Sequence, residues 1–161
     1  GPDPRATRLA YAEALQEQGD LGGALKELKA LAREHPGDIV VALSLAEITF
    51  EADDGRRMKM SDLATLLKNV RPESGLDWAR HFYLARAMER SDRFAEAIGA
   101  YDTALKDAAI PEDMALLARY EMALTYGEMG DSTRCRQELS AIHAIDAGFA
   151  DVEDRLRGRV V

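Results

Sequence analysis

At 161 residues, 47% hydrophobic and 31% charged, the chain is long enough to bury a core. That balance fits neither a disordered tail nor a membrane protein, and no apolar run approaches the ~18 residues of a membrane span. A net charge of −8 argues against nucleic acid as a partner, and a lone cysteine, Cys135, rules out an internal disulfide.

In chain order, apolar residues recur at helical spacing between short polar turns. The spacing predicts helices over 5–17, stopping at Gly19-Asp20, and over 21–34, stopping at His35-Pro36-Gly37. A third covers 39–52 and ends at Asp53-Asp54-Gly55; a fourth starts at Met58 or Ser61 and runs to Val70, before Pro72. After Glu73-Ser74-Gly75 come helices over 76–90 and 93–107, the latter ending before Pro111. Helices over 111–129, stopping at Gly130-Asp131, and over 132–145 follow, with a short ninth over 150–157. No period-two strand pattern persists. Scarce aromatics and abundant alanine and leucine favour helices that approach closely, and short turns between them make antiparallel hairpins.

Four segments share a pattern. The first shows Tyr11-Ala12 with Leu15, then Ala24 with Leu28, and Pro36. The second shows Leu45-Ala46 and Pro72, and the third Leu84-Ala85 with Met88, then Ala97, Tyr101 and Ala104. The fourth shows Met122-Ala123 with Tyr126, the turn Gly130-Asp131, then Cys135 and Leu139. Ala12, Ala46, Ala85 and Ala123 lie 34, 39 and 38 residues apart. On these residues the chain resembles the tetratricopeptide repeat (TPR) family over about 5–149.

The resemblance implies an all-α fold: a right-handed α-α superhelix, or TPR-like solenoid, of about four helical hairpins plus a short C-terminal capping helix. Its units would be about 5–38, 39–74, 76–111 and 114–148, with 149–161 as capping helix and tail. Residues 1–4 read as a tag remnant or N-terminal extension, since Gly1-Pro2 has the form of a protease-cleavage scar; a leader or anchor would have been trimmed. Cytoplasm and periplasm both fit. The sequence also departs from the family. Arg8, Ala42, His81 and Arg119 stand where a large residue opens the first helix. Met60 and Ala64 replace the alanine and aromatic of the second unit, residues 52–57 are inserted, and Ala147-Gly148 replaces a proline.

No residue pattern points to catalysis, a cofactor or a metal. His35, His81 and His143 fall in different units without metal-ligand spacing. Cys135 occupies a small-residue place and reads as a buried small hydrophobe. Asp53-Asp54-Gly55 lacks the spaced acids of a calcium loop, and Gly19 to Gly23 lacks the lysine of a phosphate loop; both read as turns. Arg56-Arg57, Arg134 with Arg136, and Arg155, Arg157 and Arg159 sit among carboxylates and read as solvated helix faces.

In the resembled family the first helices of successive units line a concave groove. Counting from each Leu-small pair places there Glu13; Leu43, Glu47 and Phe50; Phe82, Arg86 and Glu89; and Tyr120, Leu124 and Gly127, with Tyr83 and Glu121 at the edge. The partner-binding set is Glu47, Phe50, Phe82, Tyr83, Arg86, Tyr120 and Leu124. Aromatics beside carboxylates suit an apolar anchor flanked by basic residues. The lysine–asparagine clamp with which some members hold a chaperone's C-terminal carboxylate is missing: Leu9 and Glu13 occupy its places. The expectation is therefore a protein–protein interaction module, not an enzyme, that holds a peptide segment of another protein. The alternative is a scaffold that self-associates end to end, prompted by a weak final cap and the ending Val160-Val161. Arginine's excess over lysine and the abundant alanine point to a bacterial source, for which the resemblance implies an assembly or scaffold protein.

Overall fold

The computed structural model describes residues 3–52 and 58–159. Every regular element among them is a helix: α1 (Pro4–Glu17), α2 (Leu21–Glu34), α3 (Ile39–Glu51), α4 (Met60–Asn69), α5 (Asp77–Arg90), α6 (Phe94–Lys106), α7 (Glu112–Glu128), α8 (Ser132–Ile145) and α9 (Val152–Leu156). The all-α reading of the sequence holds, and each helix end falls within two residues of its expected place. The chain divides into two compact units, Gly1–Leu76 and Asp77–Val161. In the first, α2 packs on α1 and α3, and α4 on α3. In the second, α6 packs on α5 and α7, α8 on α7, and α9 on α8.

Aspartates fix several helix starts. Asp3, Asp20, Asp38 and Asp131 each accept a hydrogen bond from a backbone N–H two or three residues on, at 2.9–3.2 Å. This satisfies donors that a helix N-terminus leaves unpaired, and a carboxylate there also meets the positive end of the helix dipole. Three hairpin turns are closed alike. Asp20, Arg93 and Asp131 each donate their N–H to the carbonyl five residues back, on Leu15, Met88 and Tyr126, at 2.8–2.9 Å. The preceding residue is left-handed in all three, as this closure requires: Gly19 (φ 82°), Asp92 (φ 58°) and Gly130 (φ 78°). The α5–α6 turn thus has an aspartate where the others have glycine, and Arg93 where they have a capping aspartate; Arg93 makes no side-chain cap.

Alanine sets the spacing between helices. Ala12 and Ala24, Ala85 and Ala97, and Ala123 are all buried within their hairpins. Around them the first unit packs Leu25, Leu28 and Leu31 of α2 against Val41, Leu45 and Ile48 of α3. In the second unit Tyr101 of α6 is fully buried and meets Phe82 of α5 edge-on, ring centroids 5.9 Å apart. Leu139 and Ile142 of α8 join Leu116 and Ala123 of α7, and Val152 of α9 is buried on that cluster. Phe149 and Leu156 pack there too, so α9 covers an apolar face of the α7–α8 pair.

Two of the departures have a structural account. Arg8 Nε donates to Glu27 Oε1 at 2.7 Å, and Arg8 also bonds Glu34, joining α1 to α2. Arg119 Nη1 reaches Glu138 Oε2 at 3.3 Å, joining α7 to α8. Glu27 and Glu138 each lie 19 residues beyond their arginine, so the same cross-hairpin ion pair stands twice where the family has a bulky residue. The inserted Asp53-Asp54-Gly55 and Arg56-Arg57 lie outside the described residues.

These contacts yield two expected stability changes. Ala85→Leu should lower the stability of the second unit by about 1–3 kcal/mol, seen as an earlier urea midpoint, because no space exists at a fully buried crossing. Replacing Asp92-Arg93 by Gly-Asp should raise it by ~1 kcal/mol, relieving the left-handed aspartate and adding a cap at the cost of an exposed Arg93–Glu96 pair.

Candidate functional site

The first helices of each hairpin carry the expected groove residues, and the two units treat them differently. In the first unit α1 and α3 flank a cleft of about 270 Å³. Leu9, Ala12, Leu28 and Val40 provide its apolar surface, and Glu13, Gln16, Ser44 and Glu47 its polar one. Glu13 and Glu47 are exposed. Of the neighbouring carboxylates, Asp38 pairs with Arg5, Glu27 and Glu34 pair with Arg8, and Glu51 Oε2 accepts from Gln16 Nε2 at 2.5 Å. Among the described residues no ion pair or hydrogen bond engages the carboxylate of Glu13 or Glu47. Leu43 and Phe50 are half-buried on α3.

In the second unit the polar groups of α5 and α7 are largely tied to one another. The fully buried Tyr101 donates its hydroxyl to Glu89 Oε2 at 2.9 Å. Arg86 Nη2 lies 3.9 Å from Glu121 Oε1, and the Arg86 guanidinium sits 5.5 Å from the Phe82 ring centroid, a cation–π contact. Burial raises the pKa of Glu89 above the ordinary carboxylate value despite the Tyr101 hydrogen bond. Burial also raises that of Glu121, reinforced by the negative charge of Glu89. The Tyr101 phenol is pushed far up by burial, so it stays protonated and remains a donor.

Several expected residues sit elsewhere than the sequence placed them. Phe82 is only 1% exposed, so its ring belongs to the α5–α6 core and does not line an open face. Tyr83 is half-buried with its ring edge-on to Phe82, centroids 5.4 Å apart. Tyr120 is half-buried: its hydroxyl donates to Asp151 Oδ1 at 2.5 Å and its ring meets Phe149, so it anchors the segment leading into α9. Leu124 is half-buried on α7. Cys135, expected as a buried small hydrophobe, is partly exposed beside Gly127, because no bulky side chain there covers it. Burial of its inner part raises the thiol's pKa, which disfavours the reactive thiolate. Val40 and Ser44, which line the first cleft, escaped the sequence reading. Ile39, Val41, Ala42, Leu45, Ala46 and Ile48 are all buried, so α3 is apolar nearly all round and its pattern does not single out one outer face.

Among the described residues no group of histidine, cysteine, aspartate and glutamate converges as a metal site, and no helix is long and apolar enough to cross a membrane. His81 lies 3.3 Å from Asp77, yet burial and then Arg80 push its pKa down. Arg134, Arg155, Arg157 and Arg159 pair with Asp131, Asp151, Glu153 and Asp154, as expected of helix faces that carry both charges.

The raised carboxyls give the second unit a defined pH response. A carboxyl whose folded pKa exceeds its unfolded value binds its proton more tightly when folded, so stability rises as pH falls through the folded value. Asp77 and Asp151 behave oppositely. Arginine holds the first down, while the Tyr120 hydroxyl, then Arg155, holds the second; their contribution is lost as pH falls through their depressed values. His81 opposes the raised carboxyls, because its lowered pKa makes protonation favour the unfolded chain as pH falls, so the carboxyl contribution is read against a variant. Glu121→Gln, neutral throughout, should lose urea midpoint relative to the parent as pH falls from 7 into the carboxylate range; an unchanged difference would contradict the assignment.

The family profile described as tetratricopeptide repeat matches residues 5–48. A search of curated proteins finds no match to the sequence. Among solved structures, a MamA protein is 19% identical with a TM-score of 0.75, the alignment covering 96% of this chain and 83% of that one. TTC0263, a thermophilic tetratricopeptide-repeat protein of Thermus thermophilus, is 16% identical with a TM-score of 0.69, covering 99% and 82%. A tetratricopeptide repeat protein from Parabacteroides merdae is 17% identical with a TM-score of 0.65, covering 96% and 60%. At these identities the likeness is one of fold. Residues 5–48 match the tetratricopeptide-repeat profile, and over nearly its whole length the chain has the fold of tetratricopeptide-repeat structures.

Proposed function

We propose that the chain is a protein–protein interaction module that holds an extended or helical segment of a partner along the faces of its first helices, in a bacterial assembly or scaffold. The observation that carries this reading is the α1–α3 cleft. Its apolar surface reaches solvent at Leu9 and Val40, and among the described residues its two carboxylates make no ion pair or hydrogen bond. Peptide recognition by helical grooves rests on a few anchors in such clefts, with flanking charge fixing register. On the second unit the half-buried Tyr83, Arg86 and Leu124 form a candidate surface of their own. The arginine-rich, lysine-poor composition supports the bacterial assignment.

Co-purification of the tagged chain from its native source, with mass spectrometry of bound proteins, tests this. Glu47→Arg and Tyr83→Ala should each cut recovery of the bound partner about tenfold, equivalent to ~1.4 kcal/mol. Lys26→Glu, an exposed change on α2, should leave recovery unchanged. The reverse pattern sinks the reading.

A second reading, end-to-end self-assembly into homo-oligomers, draws on Tyr11 of α1 and Ile145 of α8, which are 56% and 58% exposed. The packing of α9 over the α7–α8 cluster weighs against it. Light scattering that shows a monomer at high concentration eliminates it.

A further inference from the structure

Among the described residues of the first unit, two exposed carboxylates border one cleft without a cationic partner. Both arginines of α1 are committed, Arg5 to Asp38 and Arg8 to Glu27 and Glu34, and Glu51 accepts from Gln16. Glu13 of α1 and Glu47 of α3 border the same cleft, and no cation among the described residues pairs with either. The inner carboxylates of the second unit differ: Tyr101 engages Glu89, and Arg86 stands beside Glu121. Against the exposed acids the cleft sets Leu9, Ala12, Leu28 and Val40, the last 37% exposed.

We propose that this α1–α3 cleft reads basic character in the partner segment: it seats one apolar side chain, or the stem of a lysine or arginine, against Leu9 and Val40, with the cationic head beside Glu13 and Glu47. The proposal rests on the reading of the chain as a peptide-holding module and adds the chemistry of the peptide. A volume of about 270 Å³ suits one long side chain and falls short of the roughly 300–1,000 Å³ of small-molecule pockets. A lysine or arginine stem covers apolar surface while its head stays solvated, which matches an apolar surface with an acidic edge. An acidic or phosphorylated segment meets two like charges here, so the cleft selects by repulsion as well as attraction. Because the edge is exposed, the contribution should appear mainly as salt-sensitive affinity and association rate.

Three short synthetic peptides, each carrying the same leucines flanked by lysine, glutamine or glutamate, test this against the intact 15N-labelled chain by amide shift mapping. The lysine peptide should perturb Glu13, Ser44 and Glu47. The paired Glu13→Gln and Glu47→Gln variant should weaken its binding about tenfold at low ionic strength, an effect that fades with added salt. The glutamine peptide should bind both proteins alike, and the glutamate peptide should bind the paired variant better than the parent. Both substitutions are at exposed positions, and unchanged circular dichroism confirms the fold. If lysine and glutamine peptides bind the cleft equally, or if all three perturb only α5 and α7, the charge reading falls while the peptide-holding module stands. If none perturbs the first helices of either unit, both fall.

Discussion

Close helix approach at buried alanines is the constraint from which the rest follows. An α-helix with side chains is about 10–12 Å across, so two helices nest only where one or both present a residue without bulk. Ala12 with Ala24, and Ala85 with Ala97, meet that need and are fully or nearly fully buried. The bulk gathers around these crossings: Tyr101 on Phe82 and Leu139 on α7 fill their own hairpins, while Leu28 of α2 reaches α3 of the next one. Stability therefore accumulates both within hairpins and between neighbours.

Packing then decides which polar groups remain available. Arg8 and Arg119 each join the two helices of their hairpin through a glutamate on the second helix, at the places where the resembled family has a large side chain. Tyr101 brings its hydroxyl into the core and takes Glu89 as acceptor, and that draws Glu89 toward a drier site where its charge is penalised. Glu121 shares the penalty through its own burial and its neighbour. The polar surface of α5 and α7 is in this way partly consumed by the core beneath it, whereas that of α1 and α3 is not.

The repeat and its helix ends were legible in the sequence because each has a local signature, whereas the capping role of the aspartates came from the structure. A Gly-Asp turn and an alanine in register require no knowledge of distant contacts. The α5–α6 turn was found from periodicity alone, since Ser91-Asp92-Arg93 lacks the glycine and cap of its counterparts, and its left-handed aspartate could not be foreseen. The site was less legible. Helical counting placed Phe82 and Tyr120 on an open groove, and it could not show their depth, which depends on whether Tyr101 or Phe149 arrives from another helix. Val40 and Ser44 were missed for a related reason: on a helix apolar nearly all round, sequence does not show which apolar residue is left uncovered.

Fold and recognition can be separated residue by residue on this basis. Arg8, Glu27, Glu34, Arg5 and Asp38 are accounted for by the contacts they make within the first unit. Glu13 and Glu47 are not: exposed, unpaired among the described residues and on helices that flank one cleft, they repel one another weakly and contribute nothing to packing. Helix propensity explains a glutamate at either position alone, but not that both border the open apolar cleft of α1 and α3. A partner cation would relieve that repulsion and draw apolar surface out of water in the same step. Affinity for a basic, apolar segment thus requires no rearrangement of the core.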